Sequence, residues 1–220
     1  MNLAIFDLDN TLLDGDSDYN WGLFLSKKGI VDRISHEAQN QQYYEDYQAG
    51  KLDIYRFTEF QFKVLKDNSR EILDQLRAEY IDTVVLPMIT KKSFALVNEH
   101  KNLQDQLLII TATSSYITKP IGLLFGINDL IGTDPEEVNG KFTGKVSGIP
   151  SFREGKIKRL ESWLSDKGLK LTDFDKTYFY SDSKNDIPLL EKVSHPVVVN
   201  ADDELMSLAK KRKWPSINLR

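Results

Sequence analysis

The segment FDLDNTLLDGDSD, residues 6–18, carries five aspartates: Asp7, Asp9, Asp14, Asp16 and Asp18. Like charges at this density repel, and a carboxylate withdrawn from water needs a partner. Three distant segments hold matching polar groups: Thr111 in IITAT, Lys156 in FREGK, and Asp182, Asn185 and Asp186 in YFYSDSKND. Asp7, Asp9 and Asp182 supply hard oxygen ligands suited to Mg²⁺, which keeps several waters and bridges to phosphate. A divalent cation among them makes the crowded charge tolerable. Thr111 supplies a hydroxyl donor for a phosphoryl oxygen, and Lys156 a point charge for nucleophile and phosphate together. A carboxylate such as Asp7 can attack phosphorus and form an aspartyl-phosphate. A second carboxyl two residues on, Asp9, is spaced to protonate the leaving oxygen and then activate water.

These side chains meet only if the chain brings four segments to one edge. Apolar runs at Leu3–Phe6, Leu107–Ala112, Thr177–Tyr180 and Pro196–Val199 read as buried strands. Helical spacing separates them, as in Ile157, Leu160 and Leu164, and in Leu205, Leu208 and Ala209. Alternation of this kind predicts an α/β fold with a Rossmann-like parallel sheet covered on both faces. Ligands then gather at the carboxyl ends of the strands, where Asp7, Thr111 and Asp182 fall.

Residues 8–106 separate the first two runs, whereas a crossover needs roughly 20 residues. The surplus predicts a helical cap over residues 14–86, inserted after the first strand, with residues 1–13 and 87–220 forming the core. Within it Gly29 and Gly50 read as helix stops, Asp53 and Ser69 as N-caps, and Ile72, Leu76, Tyr80 and Val84 as one apolar stripe. Asn139-Gly140 predicts a type I′ hairpin within residues 136–148.

Composition narrows the partners. A net charge of −4 disfavours nonspecific binding to nucleic acid or membrane surfaces. The absence of cysteine excludes disulfides, thiolate metal sites and thiol catalysis. No apolar run approaches the ~20 residues that span a bilayer, and the start lacks a basic-then-apolar leader, so a cytoplasmic location is expected. Lys210–Lys213 (KKRK) reads as a solvated helix end complementing the dipole. His36, His100 and His195 fall outside every motif. Tyr43, Tyr44 and Tyr47 read as packing rather than pocket.

DLDNT, ITAT, the lysine of REGK and SDSKND resemble, in order, the four motifs of the haloacid dehalogenase superfamily. Each motif alone is weak; four on the expected strand ends and helix start are strong. The long insert resembles the helical cap of the phosphoserine-phosphatase-like branch, and the chain is similar to bacterial members that act on histidinol phosphate. The resemblance implies Asp7 as nucleophile and Asp9 as general acid/base with its carbonyl on the metal. It implies Thr111 and Lys156 as phosphate-binding, Asn185 as lying near the phosphate, Asp182 as a metal ligand and Asp186 as a metal residue acting from behind it. Ser181 stands where the family has glycine, and Asp186 also suits an N-cap before Pro188.

In that branch an acidic residue nine positions after the nucleophile meets the substrate amine; Asp16 holds that spacing here, though it also suits a turn, as Asp14 and Asp18 do. The branch's carboxylate-clamping arginine aligns with Gln61, a poor replacement for a guanidinium, although Arg56 or Arg153 could enter the pocket in its place. The expected function is hydrolysis of a small phosphate ester, amine-bearing like histidinol phosphate. Phosphoserine hydrolysis, phosphoryl transfer to another acceptor, and non-catalytic binding of a phosphometabolite are the alternatives.

Overall fold

β1 (Leu3–Phe6) lies at the centre of a six-stranded parallel sheet in the computed structural model, which describes all 220 residues. The strand order is β3 (Leu130–Thr133), β2 (Gln106–Ser114), β1, β6 (Thr177–Ser181), β7 (His195–Val199) and β8 (Ser216–Ile217). All four residues of β1 are fully buried, because parallel strands covered on both faces bury both sets of side chains. Leu3 and Ile5 join Leu160 and Leu164 of α7 (Glu154–Asp166) and Leu205 and Ala209 of α9 (Asp203–Arg212). Ala4 and Phe6 face the other way, towards Val97 of α5 (Lys91–Asn102) and Ile121 of α6 (Ser115–Leu124). Each such side chain contributes about 1.5–3 kcal/mol on burial.

Between β1 and α5 run four helices, α1 (Ser17–Lys27), α2 (Arg33–Gln48), α3 (Ile54–Asp67) and α4 (Arg70–Tyr80). Their ends follow the sequence signals. Gly29 and Gly50 take positive φ of 70° and 67° just beyond α1 and α2, the left-handed stop that glycine adopts without a steric penalty. The Asp53 side chain accepts from the backbone N–H of Tyr55 and Arg56, and Ser69 from that of Ile72. Of the expected stripe Tyr80 is buried and Leu76 and Val84 pack against the same core, whereas Ile72 is 45% exposed and Leu73 is buried in its stead. Leu73 joins Leu76 and Tyr80 on the inward face, leaving Ile72 at its edge. Trp21, Phe24, Phe62, Leu73 and Tyr80 pack in the same cluster as Phe6 and Ile109, so the insert shares its core with one face of the sheet. The chain leaves and re-enters through one antiparallel bridge, Leu13 to Ile89, beside the Asp14 N–H donating to Met88 O at 2.8 Å.

β4 (Pro135–Val138) and β5 (Lys141–Val146) form the hairpin, with Asn139 and Gly140 at φ 51° and 78° as a type I′ turn requires. β5 packs along α3. β3 and β8 had no sequence signal of their own: one is four residues with a glycine, the other two residues. α9 ends at Arg212 in a basic turn, as the KKRK segment suggests. No helix is long and apolar enough to cross a membrane.

Candidate active site

Register fixes the site. Phe6 pairs with Ile109 of β2 and Tyr180 of β6, so Asp7, Thr111 and Asp182 all emerge within two residues of one level at the sheet's carboxyl edge. After Asp7 the chain makes a wide turn closed by the Leu13 N–H on Leu8 O at 2.9 Å, with Asn10 at φ 57°. The turn folds Thr11 back between two carboxylates. Thr11 Oγ1 donates to Asp182 Oδ1 at 2.8 Å, lies 3.3 Å from Asp7 Oδ2, and accepts from the Asp182 N–H at 3.0 Å. Thr11 lay unremarked inside the DLDNT motif; only the fold reveals that it joins two motifs.

Lys156, 2% exposed, donates from Nζ to Asp7 Oδ1 at 2.8 Å and Asp186 Oδ2 at 2.7 Å. Burial opposes its charge, but Asp186 and Asp7 outweigh burial and hold the ammonium's pKa above the ordinary value. Asp7 is pushed up to about 7, chiefly by burial, with Lys156 opposing and Asp186 and Asp9 adding repulsion. Asp182 is raised well above the usual range by burial and then by Asp7, with Thr11 opposing. Ser181 Oγ also donates to Asp186 Oδ2 at 2.7 Å. The residue in glycine's place therefore orients Asp186, whose carboxylate makes no capping bond to α8 (Ile187–Leu190).

Asp9 turns towards the insert. Its Oδ1 accepts from the Ser17 N–H at 2.5 Å, and its Oδ2 from Thr113 Oγ1 at 2.8 Å and Thr111 Oγ1 at 3.3 Å. Asp16 is the N-cap of α1, accepting from the Asp18 and Tyr19 N–H groups at 2.9 and 2.8 Å. Burial and then the charge of Asp9 push it up to about 7. Asp18 is raised well above the usual carboxylate range by burial, then by Asp16 and Asp9. Asp14 lies outside the group, exposed and paired with Arg220 at 2.8 Å.

Asp7, Asp9, Asp16, Asp18 and Thr111 line one cavity beneath the insert, together with Tyr43, Tyr44, Tyr47 and Phe57. The tyrosines read as packing in the sequence are thus also its wall; their spacing alone could not separate the two roles. Asn185 is held from both sides by protein groups. Its Oδ1 accepts from Arg153 Nε and Nη2 at 3.1 and 3.0 Å, and its Nδ2 donates to Tyr47 O at 3.1 Å. Arg153 Nη2 also reaches Gly50 O at 2.6 Å, and the Tyr47 hydroxyl reaches Ser183 Oγ at 3.0 Å. These bonds tie α2 and its C-terminal turn to the sheet edge. Gln61 is buried in α3 with both amide atoms unpaired, and it does not line the cavity. Arg56 is exposed and paired with Asp53 at 3.6 Å, so neither arginine supplies a guanidinium to this cavity.

No group of three or more Asp, Glu, His or Cys side chains is arranged as a metal cage. The carboxylates of Asp7 and Asp182 nonetheless meet at Thr11, and both are raised, chiefly by burial, Asp182 also by the charge of Asp7. Such a pair suits Mg²⁺, which takes one or two carboxylates and fills its shell with water and phosphate oxygen.

Residues 4–191 match the haloacid dehalogenase-like hydrolase family. The chain is 47% identical to a histidinol-phosphatase of Neisseria meningitidis serogroup C (strain 8013), over 100% of this chain and 99% of that protein. It is 29% identical to the phosphoserine phosphatase SerB1 of Mycobacterium tuberculosis, over 96% of this chain and 68% of that one. A crystal structure of a protein of unknown function from Bordetella pertussis Tohama I superposes with a TM-score of 0.95 at 41% identity, covering 100% and 99% of the two chains. A phospho-aspartyl intermediate analogue of phosphoserine phosphatase shares the fold, with a TM-score of 0.70 at 19% identity over 99% of this chain and 93% of that one. The motifs, the sheet and these likenesses agree: the chain belongs to the haloacid dehalogenase-like hydrolases.

Proposed function

We propose that this hydrolase is a Mg²⁺-dependent phosphomonoesterase acting through an aspartyl-phosphate on Asp7. The observation that carries the reading is the setting of Asp7: a buried carboxylate held by Lys156 at 2.8 Å and joined through Thr11 to Asp182. Asp7 and Asp182, with the Asp9 backbone carbonyl, would hold the ion, and Asp186 would act from behind through Lys156. When bound, Mg²⁺ supplies positive charge that offsets the carboxylates and the phosphate oxygens.

An oxygen of Asp7 attacks phosphorus in line with the ester oxygen, and the P–O bond to the leaving group breaks. Asp9, turned towards the cavity, gives its proton to the departing oxygen. Water then loses a proton to Asp9 and attacks the phosphorus of the aspartyl-phosphate, releasing inorganic phosphate and restoring the Asp7 carboxylate. Lys156 and Thr111 hold phosphoryl oxygens, while Lys156 also keeps Asp7 ionised against the burial that opposes it.

In this reading residues 14–86 act as a cap, and the cavity beneath them receives the leaving group. No lysine, arginine or histidine lines it, which disfavours a carboxylate-bearing ester such as phosphoserine and favours an amine-bearing one facing Asp16. Histidinol phosphate, the substrate named for the Neisseria relative, has that chemistry. The test is phosphate release from histidinol phosphate, phosphoserine, sugar phosphates and nucleotides, each with Mg²⁺ and with EDTA. Mg²⁺-dependent release with a preference for the amine-bearing ester is expected; equal rates with EDTA, or a preference for phosphoserine, would overturn the reading.

A further inference from the structure

The cavity holds more hydrogen-bond acceptors than ester hydrolysis requires. Asp7 and Asp9 have roles in the chemistry, and Asp16 spends one oxygen capping α1. Asp18 has no such use. It lines the cavity, is only 8% exposed, and its carboxylate makes no hydrogen bond or ion pair with any residue. Asn40 of α2 lines the same cavity at 2% exposure. Its Nδ2 donates to Tyr19 O at 2.9 Å, which leaves Oδ1 without a donor. Its position depends on Gly22 of α1, where a Cβ would lie 2.7 Å from Asn40 Nδ2.

A ligand that displaces water from these two acceptors without pairing them costs about 1–3 kcal/mol for each. A donor arriving with a ligand recovers that cost. The Asp18 carboxyl and Asn40 Oδ1 open onto the cavity rather than being sealed in the protein, and two acceptors facing a space with no protein cation suit a ligand that brings its own N–H groups. Tyr43, Tyr44 and Phe57 supply flat apolar walls beside them, which suit a planar ring and tolerate positive charge near their faces.

We propose that Asp18 and Asn40 form a second recognition point, separate from Asp16, for a leaving group with two nitrogen donors: an ammonium and a further N–H on a flat ring. The proposal rests on the reading of this cavity as the leaving-group site. Asp16 meets one donor and the Asp18–Asn40 pair meets the other. A site built to pair a donor rejects an analogue lacking it, because its buried acceptors then stay unpaired.

The test measures binding of alcohols rather than turnover, by calorimetry on the full chain with Mg²⁺. Histidinol presents both nitrogen groups, and 2-aminoethanol presents the ammonium alone. The wild type is expected to bind histidinol at least about tenfold more tightly than 2-aminoethanol, and Asp18→Asn to shrink that ratio to within about threefold. Asn40→Ala shifts the ratio the same way and serves if Asp18→Asn does not fold. Asp14→Asn, at the exposed pair with Arg220, keeps the wild-type ratio. A wild type that does not discriminate, or a ratio that survives the Asp18 and Asn40 substitutions, overturns the proposal. Phosphate release is read separately. Discrimination without release would sink hydrolysis and leave the recognition point standing, whereas release without discrimination would do the reverse.

Discussion

Lys156 Nζ sits 2.8 Å from Asp7 Oδ1 with both side chains almost wholly buried, so the Asp7 carboxylate shares its counter-ion with Asp186 on the far side. Removing the ammonium leaves two buried carboxylates facing each other. Lys156→Met is expected to cost about 3–5 kcal/mol of stability, measured by urea unfolding, and to abolish phosphate release. Lys156→Arg does not rescue turnover, because a planar fork does not fit a site built round a point charge. A Lys156→Met protein as stable as the wild type would contradict the pairing.

The N-cap of α1 gives a pH prediction. Asp16 stands at about 7 in the folded chain against 3.8 for a free aspartate, through burial first and the Asp9 charge second. The folded chain therefore holds this proton more tightly than the unfolded one. Its contribution is complete below about pH 4, declines as pH rises towards 7, and stays lost above that. Asp16→Asn keeps a good capping side chain and removes the decline. Relative to wild type, the metal-free variant should gain about 2–3 kcal/mol between pH 5 and 8, while losing affinity for amine-bearing esters. A stability difference that is flat across that range would refute the assignment.

Asp7 and Asp182 give a prediction for the metal that needs no turnover. An ion that binds only the folded chain stabilises it by about 2.7 kcal/mol at a hundredfold excess over its Kd. Mg²⁺ should therefore raise the midpoint of thermal unfolding, EDTA should reverse the shift, and Asp182→Asn should remove most of it. Midpoints insensitive to Mg²⁺ in the wild type would count against these carboxylates as ligands.

Arg153 holds the insert from the sheet side. Its guanidinium binds Asn185 Oδ1 and Gly50 O, and its backbone takes φ 50° to put it there. A non-glycine residue held off its preferred backbone region costs on the order of 1–3 kcal/mol. Arg153→Ala should leave the sheet intact yet speed proteolysis within residues 14–86 and raise KM several-fold. Unchanged cleavage would show that the Tyr47–Ser183 hydrogen bond suffices.

His100 is structural. Its ring spans Asp105 Oδ2 at 2.7 Å and the Tyr180 hydroxyl at 2.8 Å, edge-on to Phe6. His100→Ala should cost about 2–4 kcal/mol in denaturant unfolding with KM and kcat unchanged at a temperature where the variant is folded. A drop in kcat at full folding would mean that the support beneath β1 reaches the nucleophile.

The strand ends were legible because a buried parallel strand is a short apolar run, and its first polar residue marks the carboxyl edge. That rule alone placed Asp7, Thr111 and Asp182 at one level. Asp53, Ser69, Gly29 and Gly50 were legible because caps and stops are local chemistry. Thr11, Thr113 and Ser181 were not, since a hydroxyl at a strand end reads the same whether it bonds nearby backbone or, as Thr11 does, a carboxylate 171 positions away. Asp18 and Asp16 differ only in which faces the α1 N–H groups and which is left over, a matter of helix phase. Asn40 depends on a missing side chain at Gly22, and Asn185 on a turn around Arg153; neither partner is near in sequence.

The single Leu13–Ile89 bridge at the root of the insert has a consequence for how such chains diversify. Seventy-five residues leave and rejoin the scaffold at adjacent points, and closure entropy grows only slowly with the length spliced between them. The root therefore behaves as a socket: a different module fits there without re-routing β1 or β2, provided that it supplies the apolar face that Trp21, Phe62 and Tyr80 give to the shared core. Asp7, Thr111, Lys156 and Asp182 hang from the scaffold, and most of the cavity wall arrives with the module. New selectivity can thus be acquired by recombination at this one junction while the reaction itself is inherited unchanged.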